Sequence, residues 1–474
     1  MNRRTFLQTS AGAPLLAQAS RERWNVILIT CDQLRADTLA CYGNPVIRTP
    51  AIDKLASEGV RFVNAFAQCP QCVPARTTLH TGRYPHTHRT PTNLYRMPDT
   101  EPTLARLLNA EGYKTACVGE RPFAPRNYLG GFTEAIATGK DHAALLRQNG
   151  WSGPSVTPER RKLLDEHKRL HDTQFQASAV PWGLELDQNT FFTARAREFL
   201  RENRNTPFFL HVSYRRPHHP FDPPAPYDRM YVGSKFPESH ARAGEFDNKP
   251  PMQKRALEST AGCDLRKMTS ADLDRVKAFY YGMTSLCDHS IGELMQELDS
   301  TGLRDRTIVV LTADHGEMLG DHGLLFKGGY MYDQVLHVPL IIRAPGRMPA
   351  GIAPEGLVET ADVVPTLSDL LGFKAPAVQG KSLLPLATDP KRKGKDAVFA
   401  EFPTAKMVRT TEWKLVHYTG ARYGELYDLR KDPHEFENRY DDPSAAAAQK
   451  DLYRRLADWL IADDPAHAPV RDEA

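Results

Sequence analysis

A short segment centred on Cys72 combines groups that together could carry out chemistry on an anion. Residues 72–76 read Cys-Val-Pro-Ala-Arg, and Thr-Gly-Arg follows at 81–83. If a helix begins near Pro74, Cys72 lies at its N-terminal end, where the helix dipole and free backbone N–H groups stabilise an anion. The segment therefore predicts a position at Cys72 that favours an anion, with the guanidinium of Arg76 about one helical turn away.

A second interpretation of the same thiol comes from Cys69. The spacing Cys-Pro-Gln-Cys over residues 69–72 occurs in redox disulfides and in halves of metal sites. No thioredoxin-like βαβ pattern surrounds the pair, so we do not favour the redox interpretation. The chain has seven cysteines at irregular spacings, which is not the pattern of a disulfide framework.

Two further pairs of polar residues follow strand-like apolar runs. Asp32 and Gln33 come after one such run, and Asp314 and His315 come after another. Continuous apolar runs are typical of strands buried on both faces of a parallel sheet, and ligand sites of such sheets lie at the strands' carboxyl ends. Asp32 could instead be a helix N-cap. Carboxylate and amide oxygens are suited to Ca²⁺ or Mg²⁺.

Taken together, these segments resemble the sulfatase family. Cys-x-Pro-x-Arg at 72–76, with Thr-Gly-Arg behind it, is similar to the first sulfatase signature. Asp-His-Gly-Glu at 314–317, with Lys327 in the succeeding loop, is similar to the second. The resemblance extends from about Asn25 to Asp442, and it is weak over residues 125–190 and 225–270.

The resemblance implies how the site would work. Cys72 would be oxidised to formylglycine by a formylglycine-generating enzyme, and the hydrated aldehyde would attack the sulfur of a sulfate ester. The implied ligands of one divalent cation, Ca²⁺ rather than Mg²⁺ or Mn²⁺, are Asp32, Gln33, Cys72, Asp314 and His315. The other implied catalytic residues are Arg76, Lys327 and His218, with His218 preferred to His219 because of a Pro-His-x-Pro motif. Asp321 and His322 are expected to support the ligands rather than to bind the metal.

The sequence departs from the sulfatase pattern after the strand that precedes Gly119. Sulfatases usually carry Gly-Lys-x-His here, whereas this chain has Glu120 and Pro122. Each lost charge-assisted hydrogen bond to a bound anion costs about 1.5–3 kcal/mol, unless Arg121, Arg126 or another cation replaces it. A less positive pocket disfavours a dianionic phosphate monoester more than a singly charged sulfate ester or phosphodiester.

Hydrolysis of sulfate esters, on small molecules or sulfated carbohydrate, is therefore the leading prediction for function. The alternative within the same superfamily is hydrolysis of phosphonate monoesters or phosphodiesters, because that branch also lacks the lysine and histidine. A third hypothesis is a protein that binds sulfated sugars without turnover. The retention of every predicted metal ligand, together with Arg76 and Lys327, argues against this third hypothesis.

The elements that must position these residues predict an α/β fold. We expect a large mixed, mostly parallel sheet flanked by helices, as in the alkaline-phosphatase-like superfamily, and a small C-terminal α+β subdomain. The predicted domains are a catalytic domain over 20–390 and the subdomain over 391–474. Residues 131–190 are polar and irregular and predict an insertion without a motif.

Composition and the N-terminus limit the classes of partner and the location. Of 474 residues, 61 are basic and 58 acidic, which gives no indication of nucleic-acid binding. No apolar run is long enough to span a membrane. Arg3 and Arg4, followed by Phe-Leu and a small-x-small site, predict a Tat-type signal over residues 1–19 and export to the periplasm or the exterior.

Overall fold

The computed structural model of this protein describes residues 23–462. The predicted signal, residues 1–19, lies outside the described residues, so export stays a prediction. Within the described range, no helix reaches the length and hydropathy that crossing a bilayer requires.

The large sheet has eight strands. They are β1 (Asn25–Cys31), β2 (Val60–Phe66), β3 (Lys114–Gly119), β4 (Glu134–Ala137), β5 (Phe208–Tyr214), β6 (Thr307–Thr312), β7 (His337–Arg343) and β8 (Leu357–Glu359). Their spatial order is β4-β3-β5-β1-β6-β7-β2-β8. Only β7 runs antiparallel to its two neighbours, β6 and β2. The predicted mixed, mostly parallel sheet is therefore confirmed.

Helices cover both faces of this sheet. The α-helices among the described residues are, in chain order, α1 (Pro50–Ser57), α2 (Cys72–Thr81), α3 (Pro85–His88), α4 (Leu104–Ala110), α5 (Gly139–Gln148), α6 (Pro158–Thr173), α7 (Gln188–Glu202), α8 (Pro251–Glu258), α9 (Ser270–Ser300), α10 (Asp333–Leu336), α11 (Val363–Leu371), α12 (Leu384–Thr388) and α13 (Ala446–Ala462). Helices α1, α7 and α9 pack on one face, and α2, α4 and α11 pack on the other. The sheet is thus the middle layer of three.

Strand β1 lies within the sheet and is buried along its whole length. Ile27 and Ile29 join the core on the α7 and α9 side, whereas Val26 and Leu28 join the core on the opposite side. Because both faces are covered, the strand is an apolar run rather than an alternating one. Its parallel pairing with β5 and β6 brings three carboxyl ends to one edge, where Asp32 and Asp314 emerge.

A second, antiparallel sheet follows in the C-terminal part. It consists of β9 (Val398–Phe402), β10 (Ala405–Arg409), β11 (Trp413–Tyr418) and β12 (Gly424–Asp428). Trp459 of α13 packs edge-on against Tyr84, with ring centroids 5.0 Å apart. Glu401 of β9 lies 2.8 Å from His86 Nδ1. The predicted α+β character is confirmed, and this part of the chain contacts the segment that directly follows α2.

Residues 131–190 differ from the irregular insertion that the sequence predicted. Strand β4 joins the edge of the large sheet through parallel pairing with β3, and helices α5 and α6 follow. Helix α6 was missed because none of its residues is buried, so no apolar face with a 3.6-residue period stands out. Thr138 and Thr157, which cap α5 and α6, were the available signals.

Candidate active site

Cys72 is the first residue of α2, so the helix begins two residues before Pro74, near which the sequence placed its start. Gln71 before it is extended, and Gly82 ends the helix in a left-handed conformation with φ 65°. Only 6% of Cys72 is exposed. The backbone N–H of Val73 donates to Asn93 Oδ1 at 2.9 Å, which satisfies one of the free amides of the first turn. The thiol therefore has a fixed, nearly dry position at the positive end of a helix.

Arg76 joins the carboxylates of Asp32 and Asp314. Its Nη2 lies 3.4 Å from Asp32 Oδ2, and its Nε lies 3.2 Å from Asp314 Oδ2. The four-residue spacing also places Arg76 Nε 3.3 Å from the carbonyl oxygen of Cys72. Because all these side chains are buried, one guanidinium offsets much of the repulsion between two carboxylates that would otherwise be costly to hold together.

Lys327 and His315 both lie close to the Cys72 sulfur. Lys327 Nζ is 3.1 Å from Sγ, and His315 Nε2 is 3.2 Å from it. Burial and the charge of Asp32 would raise the pKa of the Cys72 thiol, but the positive charges of Lys327 and His315 outweigh them and lower it. The surroundings therefore favour an anion at this position.

Four of the five predicted metal ligands form one compact group. One ligand atom each from Asp32, Cys72, Asp314 and His315 lies within 4.8 Å of the others. Asp314 Oδ2 is buried and, apart from its ion pair with Arg76, has no hydrogen-bond partner among the described residues. Two carboxylates, an imidazole and a deprotonated residue 72 form a donor set that suits a divalent cation. These residues fit a metal ion.

Gln33, the fifth predicted ligand, faces the same group and is held by protein contacts. Its Oε1 accepts a hydrogen bond from Lys327 Nζ at 3.1 Å, and its backbone N–H donates to Asp314 Oδ1 at 3.1 Å. Its φ of 68° is uncommon for a residue other than glycine. The backbone here is arranged so that one residue contacts both a predicted ligand and Lys327.

Glu317 is a residue of this site to which the sequence assigned no role. Its buried carboxylate accepts hydrogen bonds from Gln33 Nε2, from the backbone N–H of Leu319 at 3.0 Å, and from the backbone N–H of Phe326. Phe326 directly precedes Lys327, so a single carboxylate positions both Gln33 and the start of the lysine loop. The acidic residue that closes the Asp-His-Gly-Glu motif was the available signal.

His218 and His219 lie together at the edge of the site, with ring centroids 4.1 Å apart. His219 Nδ1 lies 3.2 Å from Gln33 Nε2, and its ring packs against Phe326. The His218 ring nitrogen Nδ1 contacts the carbonyl oxygen of His219. Burial, together with the charge of Lys327, depresses the pKa of His218. Both rings are near the chemistry, so the preference for His218 stays a prediction.

The loop after β3 carries the expected departure from the sulfatase pattern. Gly119 has φ 95°, and a Cβ there would lie 2.1 Å from the Ser213 carbonyl oxygen, so the position requires glycine. Burial alone would lower the pKa of Arg76, but the surrounding anions, Glu120 among them, raise it. Arg121 reaches Arg76 through its carbonyl oxygen, 3.3 Å from Nη1. This loop therefore brings negative charge towards Arg76.

A cation absent from the sequence prediction comes from the end of β5. Burial would raise the pKa of Asp32, but nearby positive charges lower it. The largest of these effects on the pKa of Asp32 comes from Lys327, followed by Arg76, His315 and Arg215. Arg215 directly follows β5, whereas Arg126 is exposed. A basic residue at the carboxyl end of a buried strand was the available signal for Arg215.

Asp321 and His322 have partners away from the Cys72 cluster. Asp321 Oδ2 accepts a hydrogen bond from Arg35 Nη1 at 2.7 Å, and His322 Nδ1 lies 2.6 Å from Glu245. The same Arg35 nitrogen donates to the carbonyl oxygen of Glu317 at 3.2 Å. Asp321 thus contacts, through Arg35, the backbone of the loop that carries Glu317.

Family models match nearly the whole described chain. A model described as "Sulfatase" matches residues 24–373. A second, described as "N-sulphoglucosamine sulphohydrolase, C-terminal", matches residues 320–461. The two matches together include the Cys72 cluster and the C-terminal antiparallel sheet.

Individual proteins are similar over comparable lengths. The multifunctional alkaline phosphatase superfamily protein PehA of Trinickia caryophylli is 31% identical, over 93% of this chain and 95% of its own length. An arylsulfatase of Clostridium perfringens is 30% identical, over 87% of this chain and 89% of its own length. The crystal structure of a phosphonate monoester hydrolase of Agrobacterium radiobacter superposes with a TM-score of 0.83 at 30% identity, covering 93% of this chain and 96% of that one.

Proposed function

The chain belongs to the sulfatase family, and we propose that it hydrolyses a sulfate ester at the cluster of Asp32, Cys72, Asp314 and His315. The observation that best supports this proposal is the position of Cys72 Sγ at the N-terminus of α2, 3.1 Å from Lys327 Nζ and 3.2 Å from His315 Nε2. A nucleophile and cations gathered at one buried point suit displacement at an anionic sulfur centre. Sulfated carbohydrate is the substrate class we favour.

We propose that Cys72 acts after oxidation to formylglycine by a formylglycine-generating enzyme. Formylglycine supplies a hydrated aldehyde, whose two hydroxyl groups allow attack on sulfur and the later release of sulfate. The unmodified thiol has no second group that could regenerate the nucleophile. Lys327 Nζ holds negative charge at residue 72 and, braced by Gln33, can contact a substrate oxygen.

The neighbouring side chains keep this site ionised and oriented. Arg76 pairs with both Asp32 and Asp314, so both carboxylates stay available to a cation. His218, at the edge of the site, is proposed to contact the substrate anion. Arg215 adds positive charge on the side of β5, which offsets part of what Glu120 and Pro122 remove.

The four clustered ligands, together with Gln33, are proposed to hold one divalent cation. Such a cation stabilises a deprotonated nucleophile and withdraws charge from a substrate oxygen. Carboxylate oxygens favour Ca²⁺, while the nitrogen of His315 also suits Mn²⁺, and Mg²⁺ shares the preference for oxygen. Removing the metal with a chelator and adding each ion back singly, with bound metal and rate measured together, identifies the ion.

A phosphonate monoester is the second candidate substrate, and two observations favour it. The lysine and histidine expected after Gly119 are replaced by Glu120 and Pro122. The similarity to a phosphonate monoester hydrolase also extends over almost the full length of both chains. A phosphonate monoester carries one negative charge, as a sulfate ester does, so the reduced positive charge of the pocket tolerates both.

A side-by-side rate assay tests the two candidates. The protein is coexpressed with a formylglycine-generating enzyme, and an aryl sulfate, an aryl phosphonate monoester, an aryl phosphodiester and an aryl phosphate monoester are compared. We expect the aryl sulfate to be hydrolysed fastest and the dianionic phosphate monoester slowest. Dominant phosphonate turnover would replace the leading proposal with the second. Silence on all four and on a panel of sulfated sugars, with conversion of Cys72 verified by peptide mass spectrometry, would contradict both proposals.

A further inference from the structure

Two groups of potential metal-ligating side chains occur among residues 23–462, and only one contains Cys72. The other consists of His167, His171 and Asp222, with one ligand atom from each residue within 4.8 Å of the others. His167 and His171 are four residues apart on α6 and therefore project from the same face of the helix. Their ring centroids are 3.8 Å apart. Asp222 approaches them from the loop after β5.

Each histidine leaves a nitrogen available to a ligand. His167 Nδ1 lies 3.0 Å from the carbonyl oxygen of Ala179 and 3.0 Å from Ser178 Oγ. Donation from Nδ1–H to this carbonyl fixes the tautomer that carries a lone pair on Nε2, the arrangement found around metal-bound histidines. His171 Nε2 is buried and has no hydrogen-bond partner among the described residues. The His167 tautomer thus leaves a lone pair on Nε2, and His171 Nε2 lacks a protein partner among the described residues, so both nitrogens are available to a metal ion.

The charge around Asp222 is also unbalanced. Asp222 Oδ1 accepts a hydrogen bond from Arg216 Nη1 at 2.7 Å, while Arg216 Nη2 pairs with Asp187 Oδ2 at 2.6 Å. One guanidinium is therefore shared by two carboxylates, and the group retains a net negative charge. Burial raises the pKa of Asp222, and burial lowers the pKa of His167 to about 4. At neutral pH the histidine is uncharged and free to bind a cation.

We propose that His167, His171 and Asp222 form a second metal site, which takes Zn²⁺ and is built from residues other than those of the Cys72 cluster. Two imidazole nitrogens and one carboxylate oxygen are a frequent zinc donor set, with water completing a tetrahedron. Imidazole ligands suit Zn²⁺ better than Ca²⁺ or Mg²⁺, so this site and the proposed catalytic site select different ions.

The position of the site indicates a structural role. The segment after α6 is tied to the loop after β5 by two backbone hydrogen bonds, Ser178 N to Phe221 O at 3.1 Å and Phe221 N to Gln176 O at 2.6 Å. Asp222 lies three residues after His219, in the loop that also carries His218. Zinc held between α6 and Asp222 fastens the insertion to the loop that supplies the candidate substrate-binding histidines. Because the ligands converge only in the folded chain, zinc binding stabilises the fold.

Calorimetric titration of the full chain with ZnCl₂ tests this site. The background is Cys72→Ala/Asp314→Asn, which removes two ligands of the other cluster. We expect one saturable zinc site, which His171→Gln weakens by more than the roughly 10–100-fold that loss of an outer metal-site partner costs. The matched control His289→Gln, at an exposed histidine on α9, leaves the affinity unchanged. No saturable site, or equal affinity with and without His171, overturns the proposal.

Anomalous diffraction keeps the proposal testable even if His171→Gln fails to fold. Crystals of the unaltered protein, grown with zinc and measured on both sides of its absorption edge, should show a peak about 2.0–2.1 Å from His167 Nε2 and from a ring nitrogen of His171. Zinc density confined to the Cys72 cluster would overturn the second site.

Discussion

The molecule contains two clusters of histidine and carboxylate side chains, and they are built in opposite ways. The cluster around Cys72 is fully buried and takes its members from two adjacent parallel strands and the first turn of α2. The cluster around His167 is half-buried and takes its members from one surface helix and one loop. Residue types alone do not separate them, because both could hold a metal ion.

Their internal charge balance does separate them. Asp32 and Asp314 are paired with Arg76, and Lys327 lies beside Cys72, so the protein itself supplies cations to the first cluster. The second cluster shares Arg216 with Asp187 and keeps a surplus negative charge. The first cluster therefore holds its geometry through protein contacts, whereas the second relies on an added cation. We expect catalysis at the first cluster and a structural role at the second.

Replacing the nucleophile should give the largest effect. Cys72→Ala removes the atom that both Lys327 and His315 contact, and we expect hydrolysis to fall by about 10³-fold or more. Initial rates with the best aryl substrate measure the loss, and an unchanged melting temperature shows that the fold persists. Undiminished activity in this variant would refute the assignment of Cys72.

Removing one buried carboxylate should be nearly as severe. Asp314→Asn takes away a ligand and leaves Arg76 less well paired, so metal at the first cluster and activity should be lost together. We expect a fall in rate beyond the roughly 10–100-fold of an outer-partner loss, with zinc at His167 and His171 retained. Metal content per chain, measured alongside the rate, checks this. Full activity without metal would contradict the proposed role of the cation.

A substitution at Glu317 tests the first cluster differently, because Glu317 positions Gln33 and the loop of Lys327 and is not itself a proposed nucleophile or metal ligand. Glu317→Gln replaces one acceptor oxygen by an NH₂ group, which then meets the donor Nε2 of Gln33. We expect kcat to fall by about 10–100-fold as Gln33 and Lys327 lose their position, with a smaller change in KM. Steady-state kinetics measure the changes in kcat and in KM separately. Ser239, whose hydroxyl donates to the Leu319 carbonyl in the same loop, gives the matched control Ser239→Ala. An equal loss in both variants would mean that Glu317 has no special positioning role.

The smallest effect on rate belongs to the second cluster. His171→Gln should leave kcat/KM for small aryl substrates unchanged, because the residue belongs to the fastening site. It should abolish the rise in melting temperature that zinc gives the unaltered protein. Thermal unfolding with and without ZnCl₂ measures this difference. A loss of rate equal to that of Asp314→Asn would erase the distinction between the clusters.

The extent to which the sequence predicted these clusters follows from their construction. Apolar runs such as 25–31 and 307–312 are buried on both faces, so the strands and the acidic residues at their ends were recognisable from the sequence. The Cys72 cluster needs little more than those strand ends and a helix start. The sequence could therefore indicate which strand ends meet at Cys72, whereas the metal-ligand roles and Lys327 came from the resemblance to the sulfatase signatures and stay predictions.

The other parts of the two clusters depend on tertiary contacts, which produce no periodic pattern in the sequence. Gln33 adopts a left-handed backbone conformation, and Glu317 reaches it across a loop, so neither contact follows from spacing. Helix α6 has no buried residue, so no apolar pattern in the sequence indicates that His167 and His171 lie on one helix. Asp222 joins them only through the tertiary fold. A linear pattern could therefore name the first cluster but not the second.

The burial of Cys72 would set a time limit on the proposed modification of this residue. Only 6% of Cys72 is exposed, and Lys327, which contacts its sulfur, lies 255 residues later in the chain. At roughly 5–20 residues per second of synthesis, the ribosome needs about 13–50 s to deliver those residues. Until Lys327 and the loop that carries it have been synthesised, the contacts that bury residue 72 are incomplete. The proposed formylglycine-generating enzyme would therefore have to act before the chain folds, and a shorter interval between synthesis and folding would leave a larger fraction of chains with an unconverted thiol.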